Sequence, residues 1–148
     1  MIGGDPGGES VMILIRLATA VLITAALETV ALAAGLDFET YRKTVEPIFL
    51  KKRPGHARCF VCHEANNSAF HLETLAPGAT TWSEEQSRRN FENVSHLVVP
   101  GDPAASKLLL HPLSPDAGGD VFHGGGRQFA SRDTPEWKAI AAWINQAK

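Results

Sequence analysis

The chain has 148 residues, 44% of them apolar and 20% charged, which leaves room for one globular domain and not two. Its formal net charge of -2 comes wholly from the first 33 residues, where Arg16 stands against Asp5, Glu9 and Glu28; the remaining 13 basic and 13 acidic residues balance. A neutral body excludes non-specific nucleic-acid binding, which needs a strongly basic face.

The N-terminal segment reads as a targeting element. Residues 1–11 are polar, Gly-rich and acidic, unlike the basic start of a secretory signal, and Met12 offers a better start. Met12 to Arg16 then supplies a short basic region, Leu17 to Leu27 an unbroken apolar run, and Ala31-Leu32-Ala33 an A-x-A cleavage site. The mature domain is expected to span 34–148. An uncleaved membrane anchor competes with this reading, because Leu17 to Ala34 is interrupted only by Glu28. Either way the domain is expected outside the cytoplasm, periplasmic or membrane-anchored.

A helix is predicted next. Asp37 can cap it, and Phe38, Tyr41, Val45 and Ile48 or Phe49 recur at three-to-four spacing. Pro47 should kink it or start a second turn. Arg42, Lys43, Lys51, Lys52, Arg53 and Arg58 follow against the single acid Glu46, either a docking face for an acidic partner or a solvated helix face.

Cys59-Phe60-Val61-Cys62-His63 is C-x-x-C-H, and it holds both cysteines of the chain. On this chain's own counts the coincidence is about one in two thousand. Two thiols at this separation can add to the two vinyl groups of one haem while the adjacent imidazole turns under the iron. A zinc site would need two further ligands at short spacing, and a thioredoxin-like pair would be expected near a βαβ pattern. A disulfide across two residues closes too small a loop to stabilise much. The cofactor expected is therefore one haem c, covalent through two thioethers at Cys59 and Cys62, with His63 as iron ligand.

Further along, Ser83 and Gln86 form a capping box, and Phe91, Val94, Leu97 and Val98 carry a helical face up to Pro100-Gly101. Asp102-Pro103 is expected to start a short helix bearing Leu108 and Leu109. His123 opens His-Gly-Gly-Gly, where missing side chains allow close backbone approach to a flat macrocycle. Arg127 is either a propionate partner or a solvated loop arginine. The last helix has Asp133 or Thr134 as N-cap, Pro135 at its first position, and Trp137, Ile140, Ala141 and Ile144 on one face. No segment alternates as a strand does. The expected fold is all-α, a small helical domain wrapped around its haem.

The order CFVCH, VPGDPAASKLL, HGGGRQF, PEWKAIAAWI resembles the single-haem domains of the planctomycete-type cytochrome c family over residues 38 to 147. The resemblance implies a class I-like cytochrome c fold, terminal helices crossing beside the haem, and a second axial ligand from the C-terminal half. Many class I cytochromes use methionine there, but Met1 and Met12, both in the leader, are the only methionines here. Histidines remain as candidates: His123, which the resemblance favours, then His111, with His56, His71 and His96 each open to other roles. A vacant or water-held site is the other alternative.

The function expected is single-electron transfer between redox partner proteins by a non-enzymatic mono-haem cytochrome. A haem subunit of a larger respiratory or photosynthetic complex is an alternative, as is a ligand-binding or peroxidase-like haem protein. Exposed apolar area around Phe60, Phe122 or Trp82 would favour the subunit.

Overall fold

The computed structural model describes residues 35–64 and 68–147; the expected leader lies outside them. Asp37 caps the first helix, its Oδ1 accepting from the Thr40 N–H at 2.6 Å. This helix, α1, runs through 38–50 in three pieces: α-helical Phe38–Thr40, π-helical Tyr41–Val45 and α-helical Glu46–Leu50. Pro47 accounts for the wide middle turn. It has no N–H to donate, and in a regular helix its ring would strike the carbonyl of Lys43. Widening the preceding turn relieves that clash, and Pro47 falls in the first turn of the last piece.

Among the described residues four α-helices follow, α2 (Cys59–His63), α3 (Glu84–Ser95), α4 (Lys107–Leu110) and α5 (Pro135–Asn145), with a 3-10 turn at Pro115–Ala117. The Ser83–Gln86 capping box opens α3 with both of its reciprocal hydrogen bonds. Thr134, rather than Asp133, occupies the N-cap position of α5, with Pro135 behind it. The short helix expected from Asp102-Pro103 starts later. Asp102 Oδ1 closes a turn by accepting from Ala105 N–H at 3.0 Å, and the helix begins only after Ser106. That buried hydroxyl accepts from Val99 N–H at 2.9 Å and donates to the Asp102 carbonyl at 2.8 Å, so local side-chain bonds outcompete helix there.

Among the described residues no strand forms; isolated bridges join Arg53 with His56, Val99 with Asp102 and Leu113 with Phe129. The fold is all-α.

Its core is an aromatic cluster where α1, α3 and α5 meet. Trp143 lies 5.6 Å from Tyr41 and 6.2 Å from Phe91 between ring centres, and its indole N–H donates to the Asp37 carbonyl at 2.9 Å. One bond thus ties the last helix to the start of the first. Ring pairs of this kind contribute about 0.5–1.5 kcal/mol each beyond their buried area.

Candidate functional site

Helix α2 sets the site. Cys59, Cys62 and His63 stand at positions i, i+3 and i+4, which a helix brings onto one face. Phe60 points the other way, buried and edge-on to Trp82 at 6.2 Å, and fixes the rotation of the helix. The face so presented forms part of a cavity of about 640 Å³. Cofactor pockets commonly measure about 300–1,000 Å³. Ile48, Phe49, Leu97, Leu108 and Ile140 give it apolar walls.

His63 is oriented by the chain that follows it. Its Nδ1 bonds the Phe70 carbonyl at 2.7 Å and has Ser68 Oγ at 3.2 Å, and the Phe70 ring lies 4.4 Å from the imidazole. A carbonyl partner makes Nδ1 the protonated nitrogen and Nε2 the ligating one. Burial holds His63 below the ordinary imidazole value, against the pull of the Phe70 carbonyl; His123, His111 and His71 add to the depression. The ring is therefore neutral at neutral pH, the form a metal takes.

Cys59 is half-buried and Cys62 exposed, and no disulfide joins them. Burial raises the Cys59 thiol above its usual range, with the Arg53 guanidinium pulling the other way from 3.6 Å. A thiol so protonated is a poor nucleophile for disulfide exchange.

Facing α2, the same cavity is lined by His111, His123, Gly124 and Gly125. The His123 ring lies 6.4 Å from that of His63, with the two planes 19° apart. Its Nδ1 meets the Gly126 carbonyl at 2.5 Å, and the Gly126 N–H donates to the His123 carbonyl at 2.9 Å. Gly126 adopts φ 77°, a conformation that only glycine takes freely. His111 both ends α4 and reaches the cavity, with its Nδ1 2.8 Å from Asp120 Oδ2.

Of the remaining histidines, His56 bonds back to Arg53 through its backbone and His96 caps α3 at the surface. Arg127 does not reach this cavity. It donates to the Val121 carbonyl and borders a smaller cleft with Arg53 and His56. Arg58 and Lys107 line the main cavity instead. Arg58 belongs to the basic run that precedes the motif in the sequence; Lys107 and the orienting roles of Phe70 and Asp120 were not expected. A backbone carbonyl leaves no mark in a sequence, and a lone loop Asp or a lone Lys at a helix start has none that distinguishes it. Among the described residues no three His, Cys, Asp or Glu side chains gather as a bare metal ion would need.

Compared with known families, curated proteins and solved structures, the chain matches none.

Proposed function

We propose that the chain is a mono-haem c-type cytochrome, similar to the planctomycete-type single-haem domains, that carries single electrons outside the cytoplasm. The observation that carries this reading is the opposition of His63 and His123 across a cavity that Cys59 and Cys62 also line. Two imidazoles sharing one metal at bonds of about 2 Å put their ring centres roughly 6 Å apart, and 6.4 Å separates these. The donor set fits as well, since a macrocycle brings four nitrogens of its own and asks the protein only for axial ligands.

When bound, the haem supplies reversible one-electron iron chemistry. The chain's residues do the rest. Cys59 and Cys62 would tether the group by thioethers, and His63, its Nδ1 held by the Phe70 carbonyl, would offer Nε2. His123 would offer a second imidazole, Gly124 and Gly125 would let the backbone come close, and the apolar walls would pack against the macrocycle. Two histidine ligands would leave no place for oxygen or peroxide, which favours electron transfer over peroxidase or gas-binding chemistry. The permanent-subunit reading is weaker: Phe60 and Trp82 are buried, and Val61, Val121 and Phe122 are the large apolar residues left exposed near the site, a small patch for a permanent interface. The extracytoplasmic setting rests on the leader sequence.

The test is a denaturing gel stained for haem peroxidase activity. Wild-type chain should stain and Cys59→Ala/Cys62→Ala should not; staining that persists in the double variant would remove the reading.

A further inference from the structure

His111 and His123 reach the same side of the cavity, opposite His63, by different routes. His111 ends α4, which is anchored by the buried Leu108 and Leu109. His123 sits in a loop bounded by Gly118, with φ 89°, and by Gly124, Gly125 and Gly126. Their rings meet edge to face with centres 4.9 Å apart. Each has its Nδ1 committed to an oxygen, Asp120 Oδ2 at 2.8 Å for His111 and the Gly126 carbonyl at 2.5 Å for His123. In each ring that leaves Nε2 for a metal.

We infer that His111, held by Asp120, is a second imidazole for the position that His123 occupies, so that the chain carries two interchangeable distal ligands facing His63. The inference rests on the haem reading above. A surface His–Asp pair would contribute little and would have no reason to lie against the cavity; this one lines it and touches the ring it would replace. Exchange takes His123 out of the position and brings His111 into it, each by about one centre-to-centre separation, and the glycines on either side of His123 free the loop that carries both His123 and Asp120. The two ligands also differ electronically. A carboxylate accepts more strongly from Nδ1–H than a carbonyl does, making His111 the more basic ligand and the one that favours oxidised iron. Ligation by His111 is then linked to oxidation, and ligation by His123 to reduction.

The experiment uses haem-loaded full-length chain as wild type, His111→Ala, His123→Ala and the double variant, with far-ultraviolet dichroism confirming that each is folded. Spin state is read from the visible spectrum and the ferrous form is exposed to carbon monoxide. Both single variants should stay low-spin, with carbon monoxide binding at least tenfold slower than in the double variant, which should become high-spin. Adding Asp120→Asn to His123→Ala should raise the midpoint potential. A single variant that behaves like the double one would assign the position to one histidine alone, and a double variant that stays low-spin would assign it to neither. Either result overturns the inference while leaving the cytochrome reading intact; wild-type chain without covalent haem takes down both.

Discussion

Glu46 is buried in the core with one oxygen satisfied. Ser87 Oγ donates to its Oε1 at 2.7 Å, while its Oε2 and the Tyr41 hydroxyl have no partner among the described residues. Burial pushes its carboxyl above the ordinary 4.5, and the Ser87 hydroxyl and Arg42 offset that in part. The folded protein therefore binds this proton more tightly than the unfolded chain does. The stability it contributes is fully present below the ordinary value and is lost as pH rises through the raised one. Urea unfolding from about pH 4 to about pH 8 should show wild type losing stability relative to Glu46→Gln as pH increases. A constant difference between the two would mean that Glu46 titrates normally. Tyr41, raised still further by burial with Glu46 adding to it, stays neutral throughout this range and leaves the slope to the carboxyl.

At the scale of elements, α5 holds the termini of the domain together through Trp143. Trp143→Phe keeps most of the buried ring but removes the bond to the Asp37 carbonyl, and should cost about 1 kcal/mol. Trp137→Phe should cost less, because Trp137 is only half-buried and its indole N–H has no partner among the described residues. Chemical unfolding midpoints compare the two, and the reverse order would displace Trp143 from its role. The stripe of Trp137, Ile140, Ala141 and Ile144 was legible from spacing, yet the buried face is rotated toward Trp143. Periodicity marks an apolar side, but which edge of it goes deepest depends on the partner helix. The same limit hid Ser87 and Asn90, polar residues on the buried face of α3, whose burial follows from Glu46 and from the Glu73 N–H that Asn90 Oδ1 accepts. Caps and the C-x-x-C-H face were legible because their chemistry is local. The opposition of His63 and His123, sixty residues apart in sequence, was open from spacing alone, and His111 stood as an alternative to His123; that both rings would line the cavity together was not foreseen.

For the whole molecule, the electron-transfer function proposed above raises the question of where a redox partner would dock. The basic run before the motif is largely answered by partners within the chain. Arg42 pairs with Glu84 at 3.5 Å, Lys43 with Glu39 at 3.3 Å and Lys51 with Glu136 at 2.6 Å, while Arg53 is spent on Gln128. Paired charges project a weak field, so this run is a poor steering surface. The cavity mouth is a better one. Arg58 and Lys107 line it without an ion pair among the described residues, and exposed Val61 stands beside the motif cysteines. Unpaired charge next to the site would draw an acidic partner so that the two cofactors approach, raising the association rate more than the affinity. Exchange with an acidic redox protein should therefore slow as salt shortens the Debye length to about 10 Å and below. Arg58→Glu with Lys107→Glu should slow low-salt association roughly tenfold, and Lys43→Glu should slow it much less because Lys43 does not line the cavity. Stopped-flow rates across a salt series separate the cases. A rate indifferent to salt, or one more sensitive to Lys43 than to Arg58 and Lys107, would move the docking face away from the cavity mouth.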